Sequence, residues 1–289
     1  MPELPEVETV RRGLAPVLEG ARLKRVTANR PDLRFPLPAN FAKRVKGARV
    51  LGLSRRAKYL LAALDTGETL AMHLGMSGRF TISGAQKRPL AQPGDLYYAA
   101  PPDPAHTHVV FETDAGARVE YNDPRRFGFM DLIASNEVEA HKFFAGMGPE
   151  PLGNEFSAAT LLTAFAGRKQ NVKVTLLDQR VVAGLGNIYV CEALYRAGIS
   201  PRRAAGRVKR AEAEALAEAV RQVLIEAIEA GGSSLKDYAG ATGALGYFQH
   251  RFAVYDREGQ ACARRGCGGT IKRLVQGGRS TFFCSACQH

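Results

Sequence analysis

Cysteine is almost absent from most of this chain. Of five cysteines in 289 residues, only Cys191 precedes residue 262. That distribution argues against the disulfide framework of a small secreted domain. A second absence is any apolar run of membrane-spanning length, and neither a secretory signal nor a lipidation motif is found. Membrane binding is thereby disfavoured, and a cytoplasmic protein is expected. A third shortage is acid. The 28 aspartates and glutamates face 40 lysines and arginines, for a net charge of +12. Such a surplus points to a polyanionic partner, with nucleic acid the first candidate. What remains suffices for ordinary cores: 45% of the residues are hydrophobic, and the length suggests two domains with a small appendage.

After an amphipathic start, short apolar runs alternate with turns over residues 21–28, 49–53, 59–64, 69–74, 108–113 and 118–121. Thr66-Gly67 and Asp114-Ala115-Gly116 read as hairpin turns. Residues 1–135 are therefore expected to be mostly antiparallel β, as a sandwich or barrel, with a helix at the start. Residues 84–104 (GAQKRPLAQPGDLYYAAPPDP) read as loop. At Met147-Gly148-Pro149-Glu150-Pro151 the pattern changes, and helices dominate. Residues 208–230 put Leu216, Val220, Val223, Leu224 and Ala227 on one helical face, and Gly231-Gly232 stop the helix. Upstream, VTLLDQ and NIYVCEALYRAG read as two short helices joined by a tight turn at 182–187, a helix-turn-helix variant. The small, polar residues 231–246 read as a mobile loop. The fold class is α+β, and no internal repeat is found.

The tail reads CARRGCGGTIKRLVQGGRSTFFCSAC. Cys262 and Cys267 form C-x4-C, Cys284 and Cys287 form C-x2-C, and sixteen residues separate the pairs. Two knuckles flanking a hairpin-sized stretch suit one tetrahedral zinc held by four thiolates. Two disulfides or free thiols are the weaker alternative in a basic chain without a signal. The intervening stretch reads as two strands with the turn at Gln276-Gly277-Gly278. It carries Lys272, Arg273 and Arg279, so a zinc-stiffened basic hairpin could grip DNA or merely cap the fold. Cys191, in an apolar helix, reads as a core thiol.

The chain opens MPELPEVETV, and two readings stand. Pro5 suits the first turn of a helix, Val7, Val10 and Leu14 recur at helical spacing, and the acids complement the helix N-terminus. Alternatively, loss of Met1 exposes Pro2 as a free secondary amine. Its pKa near about 8 leaves a useful fraction unprotonated at neutral pH.

Seven blocks now come into register with one family. PELPEVETVRRGL (2–14), RRAKYLL (55–61), MHLGMSGRF (72–80), DPRRFG (123–128), GPEPL (148–152), GLGNIYVCEAL (184–194) and GRSTFFC (278–284) resemble, in order and over essentially the whole chain, formamidopyrimidine-DNA glycosylase. This bacterial repair family removes 8-oxoguanine and ring-opened purines from duplex DNA and then cuts the backbone. Leu4 stands where the related endonuclease VIII branch typically has Gly, which favours the purine branch. The resemblance implies an N-terminal β-sandwich with a catalytic helix (1–135) and a helix–two-turn–helix domain with a lesion-recognition loop (150–248). A zinc finger follows at 251–289, with one structural Zn2+ per chain. It further implies a monomer in the bacterial cytoplasm, associated with the nucleoid.

Carried onto this sequence, the resemblance makes Pro2 the nucleophile and Glu3 the general acid, with Glu6 in support unless it is a surface acid. Lys58 becomes the proton donor in β-elimination, although a strand lysine is ordinarily a solvated edge charge. Arg279 grips the lesion phosphates and is linked to δ-elimination. Met76, Arg125 and Phe127 fill the space left by the flipped base. As an alternative, Met76 and Phe127 could be core residues. His106, Arg125 and Arg168 grip phosphate, with Lys173 and Asn187 adding contacts and His73 beside the wedge. His106 and His108 could instead be plain strand histidines. Cys262, Cys267, Cys284 and Cys287 hold the zinc, the first pair departing from the commoner C-x2-C spacing. Two rival readings, a non-enzymatic DNA-binding module and an N-terminal-proline tautomerase, each leave part of this pattern idle.

Overall fold

A computed structural model describes residues 2–84, 103–233 and 246–289. The chain divides into two compact units, Met1–Ala145 with Ala230–Tyr247, and Gly146–Glu229 with Phe248–His289.

The first unit opens with α1 (Leu4–Leu18). Its apolar residues Val7, Val10 and Leu14 are at most 1% exposed, so the helical spacing does bury one face. Two four-stranded antiparallel sheets follow. One has the order β1 (Leu23–Ala28), β6 (Thr107–Thr113), β7 (Arg118–Asn122), β5 (Arg79–Ser83). The other runs β2 (Val50–Arg56), β3 (Tyr59–Leu64), β4 (Glu68–His73), β8 (Phe129–Ala134). A single core joins α1 to both sheets, with Leu14, Leu60, Met72, Phe80, Phe111 and Tyr121 among its members. This is a sandwich. A short helix, α2 (Phe41–Val45), buries Phe41 and Val45 beside β1. The hairpin turn at Gly67 has the expected positive φ, +82°. Strands β5 and β8 were not among the expected runs. Both flank the glycine-rich turns, and their apolar residues only make sense as strands once paired to β7 and β4. Of the two expected loops, residues 85–102 and 234–245 lie outside the described residues.

The second unit contains α3 (Ala158–Phe165), α4 (Val172–Leu177), α5 (Asn187–Arg196) and α6 (Arg210–Glu229). All five residues assigned to the apolar face of α6 are buried. Helix α4 starts two residues earlier than VTLLDQ suggested, because Asn171 caps it by accepting the Val174 N–H at 2.9 Å. It also ends earlier, and the link to α5 spans two turns. Gln179 stitches that link. Its Nε2 donates to the Leu177 and Leu185 carbonyls, and its Oε1 accepts the Gly184 N–H at 2.8 Å. The tail forms the expected hairpin, β9 (Ile271–Gln276) and β10 (Arg279–Cys284). Gly277 and Gly278 both take positive φ (+55° and +72°), as a two-residue turn between right-twisted strands requires.

Candidate catalytic corner, wedge turns and zinc-held hairpin

In the first unit, Pro2 and Glu3 are buried at the N-terminus of α1, Glu3 at 3% exposure. The Glu3 N–H donates to Glu6 Oε2 at 2.8 Å. Glu6 is not the surface acid of the alternative reading. It is 2% exposed, and its Oε1 accepts both the N–H (2.8 Å) and the hydroxyl (3.0 Å) of Ser233. Gly232 permits that contact: it has φ +81°, and a Cβ there would stand 3.1 Å from the Glu6 carboxylate. One acid thus ties the N-terminal corner to the chain at Gly232-Ser233.

Lys58 is not a strand residue on a solvated edge. It occupies the two-residue turn between β2 and β3 and is 9% exposed, following Ala57 at φ +51°. Helix α1 packs on these same two strands. The Lys58 ammonium also acts on His73 in β4. Burial first, then Lys58 and Arg34, push the His73 imidazole down to about 4. A neutral ring fits its contacts: Nδ1 accepts the Gly75 N–H at 3.0 Å, and the ring stacks on Phe129 at 5.1 Å.

Met76 lies in the turn between β4 and β5, partly exposed. Arg125 and Phe127 lie exposed in the turn between β7 and β8. Phe127 is 43% exposed with the Arg125 guanidinium 5.0 Å above its ring, so the core alternative fails for Phe127. His106 is also accessible, and its Nε2 stands 4.0 Å from Asp103. His108 is buried, with Nε2 2.9 Å from the Asp123 carbonyl, and fits the plain strand reading.

In the second unit, Arg168 is half-exposed, 3.9 Å from Asp178. Arg279 is exposed at the start of β10, and Lys272 and Arg273 are exposed on β9. Two residues expected to add phosphate contacts are buried. Lys173 is fully buried in α4. Asn187 is 8% exposed, and its amide donates to the Ser280 carbonyl at 2.9 Å, next to Arg279. It supports the hairpin. The sequence reading missed Glu192, whose buried carboxylate accepts the N–H groups of Ala253, Val254 and Tyr255 at 2.9–3.0 Å. That grip anchors the chain entering the finger. An acid inside the apolar stretch NIYVCEALY was its one visible sign.

The four sulfurs of Cys262, Cys267, Cys284 and Cys287 lie within 4.8 Å of one another. Two of the separations are 3.8 Å (Cys262 to Cys287) and 3.6 Å (Cys267 to Cys284). A tetrahedral zinc with bonds near 2.3 Å asks for sulfur–sulfur edges of about 3.8 Å. None of the four is joined in a disulfide, which removes that alternative. Gly269 keeps the cradle open, because a Cβ there would sit 2.7 Å from the Cys284 sulfur. The longer first knuckle leaves ligation intact and gains a contact. Its Arg264 lies over the Tyr195 ring at 5.1 Å and donates to the Tyr195 carbonyl at 2.6 Å, at the end of α5. Cys191 is buried in the same small core and holds no metal position.

Comparison with known proteins agrees along the whole chain. Residues 1–130 match the family described as "Formamidopyrimidine-DNA glycosylase N-terminal domain", residues 147–239 "Formamidopyrimidine-DNA glycosylase H2TH domain", and residues 259–289 "Zinc finger found in FPG and IleRS". A formamidopyrimidine-DNA glycosylase of Caulobacter sp. (strain K31) is 64% identical over 288 residues, covering 100% of both chains. The MutM (Fpg) protein of Thermus thermophilus superposes with a TM-score of 0.83 at 38% identity, over 99% of this chain and 98% of that one. Lactococcus lactis Fpg, solved with abasic-site DNA, gives 0.84 at 32% identity over the full length of both. Among the described residues, no helix is long and apolar enough to cross a membrane. With its sandwich, its two-turn helical unit and its four-cysteine zinc finger each matched in order, the chain belongs to the formamidopyrimidine-DNA glycosylase family.

Proposed function

We propose that the Pro2 amine of this chain excises oxidised purines, 8-oxoguanine and formamidopyrimidines, from duplex DNA. Base excision followed by cleavage at the abasic site is the activity of the family to which the chain belongs. The Pro2 nitrogen attacks C1′ of the flipped nucleotide and gives up its proton, the glycosidic bond breaks, and the base departs carrying a proton; Glu3 then protonates O4′ as the C1′–O4′ bond breaks, which opens the sugar and leaves an iminium at C1′. The resulting iminium comes from a secondary amine and has no N–H to lose. It stays cationic and draws electrons from the sugar. Loss of a C2′ proton then breaks the C3′–O bond, and a second elimination breaks the C5′–O bond. Lys58 moves a proton in the first elimination, and Arg279 holds the phosphates through the second. The zinc on Cys262, Cys267, Cys284 and Cys287 takes no part in the chemistry and fixes the basic hairpin. His106, Arg125 and Arg168 hold phosphates, and the enzyme works as a monomer in the bacterial cytoplasm, at the nucleoid.

The observation that supports this reading best is the buried corner of Pro2 and Glu3, fastened by Glu6 at the start of α1. A carboxyl that must stay partly protonated needs such a dry place. Borohydride trapping on 8-oxoguanine duplex, followed by protease digestion and mass spectrometry, tests it. The adduct is expected on the N-terminal peptide beginning at Pro2. An adduct on Lys58 would overturn the assignment. Retained Met1 converts the amine to an amide, so it should abolish trapping while zinc content and folding persist.

A further inference from the structure

The acid of DPRRFG has no place in the chemistry above, yet Asp123 is the most enclosed carboxylate near the wedge turns, at 0% exposure. Within the described residues its side chain meets three neutral donors and no cation. Oδ1 accepts the Ser77 hydroxyl at 2.5 Å, and Oδ2 accepts the Gly128 N–H at 2.8 Å and the Tyr121 hydroxyl at 3.3 Å. A buried carboxylate without a cation is costly to desolvate. A polar side chain in this place is therefore informative about what it holds.

Its three donors come from different pieces of the molecule. Ser77 belongs to the Met76 turn, Gly128 closes the Arg125–Phe127 turn, and Tyr121 belongs to β7. Ser77 is itself a bridge. Having donated to Asp123, its oxygen accepts the Arg125 N–H at 3.2 Å. The backbones of the two turns are also in direct contact. A Cβ on Gly75 would lie 2.3 Å from the Phe127 carbonyl carbon and the Gly128 nitrogen. One on Gly128 would lie 1.8 Å from the Tyr121 hydroxyl and 2.7 Å from the His73 carbonyl. Glycine at these places lets the turns close on each other, and Asp123 with Ser77 fixes their offset.

We infer that Asp123 is a positioning residue that makes the Met76 turn and the Arg125–Phe127 turn one mechanical part, so that the three wedge side chains enter the duplex together. The inference rests on the base-excision reading. It implies that Arg125 and Phe127, on one turn, cannot seat without Met76 on the other. A rigid pair of wedges meets a base step without first losing entropy.

The test uses the full-length, zinc-loaded enzyme and three readouts. These are excision of 8-oxoguanine opposite C in duplex, cleavage of a preformed abasic site in single-stranded DNA, and fluorescence of a 2-aminopurine opposite a tetrahydrofuran abasic-site analogue. The single-stranded substrate needs no wedge. Ser77→Ala removes the link but little volume. Duplex excision should fall about tenfold or more, the scale of losing hydrogen bonds to a buried charge. The 2-aminopurine signal should fall with it, and single-strand cleavage should stay within about twofold. Asp123→Asn can still donate to Ser77 from its amide and should recover part of the loss. Tyr121→Phe, which removes a donor outside both turns, should leave the ratio of duplex to single-strand rates unchanged. Equal losses on the two substrates, or an undiminished 2-aminopurine signal in Ser77→Ala, would overturn the inference. Failure of the wild-type enzyme to cleave or trap the single-stranded site would instead sink the Pro2 reading.

Discussion

The turns at 74–78 and 123–128 stand on a core that runs from Val7 and Leu14 through Phe80 and Tyr121 to Leu132. The β9–β10 hairpin stands on a small cluster of Cys191, Tyr195, Val254, Ile271, Phe282 and Cys284. Both present basic or aromatic side chains from a tight turn. The sandwich has enough buried surface behind it to fix its turns with backbone contact and hydrogen bonds to one buried carboxylate. The finger does not, and four sulfurs do the fixing. Rigid presentation is thus reached by two routes, and the size of the core behind each tip decides which one is used.

Removing the metal should set the two tips apart most forcefully. Cys284→Ser, or chelation, should release the hairpin and lower affinity for duplex DNA on the order of a hundredfold, because metal-binding energy is folding energy in such small modules. The far-ultraviolet signal of the sandwich should survive. Equal affinity in the metal-free protein, measured by fluorescence anisotropy, would remove the finger from the grip. The next effect concerns the sandwich tip. Phe127→Ala should cut duplex excision about tenfold or more while the melting temperature moves by little, since a half-exposed ring carries little core energy. A large drop in melting temperature with normal excision in the cold would return Phe127 to the core. Arg168→Ala should weaken damaged and undamaged duplex alike, by about three- to tenfold, and reduce the salt slope by about one. Loss of lesion preference at unchanged general affinity would contradict a phosphate role.

The smallest effect separates the two tips by pH. His73 titrates near 4 in the fold and near 6.5 when unfolded. The unfolded chain therefore takes up the proton first, so the stabilisation from neutral His73 is complete above pH 6.5 and is lost as pH falls toward 4. Between about pH 7 and about pH 5.5 the sandwich should lose about 1 kcal/mol. Urea unfolding of the wild type against His73→Gln at the two pH values reads it. An identical pH response in both proteins would show that His73 is not the source.

Much of this was legible because the signals are local. Helical spacing marked α1 and α6, and the cysteine spacing was enough to pick out the zinc ligands. Two glycines placed the finger turn. What was missed depends on partners distant in sequence. Ser77 and Asp123 are 46 residues apart, and an aspartate before proline reads first as a turn former. Lys58 was misplaced because Ala57 takes a left-handed conformation with no glycine or asparagine to announce it. Lys173 was assigned by its matched position in the family, while its burial is set by neighbours in the fold. Strand β5 is only five residues long and merges in the sequence with the turn before it.

The bonds from Ser233 to Glu6 span 227 residues. During synthesis at about 5–20 residues per second, the second partner arrives roughly ten to forty-five seconds after the first. The sandwich strands are all made in the meantime and can pair. The corner around Pro2 stays half-built until the chain is nearly finished. The removal of Met1 that the proposed Pro2 chemistry requires therefore falls in the interval when the terminus is still open, before the last segment of its own unit has been made.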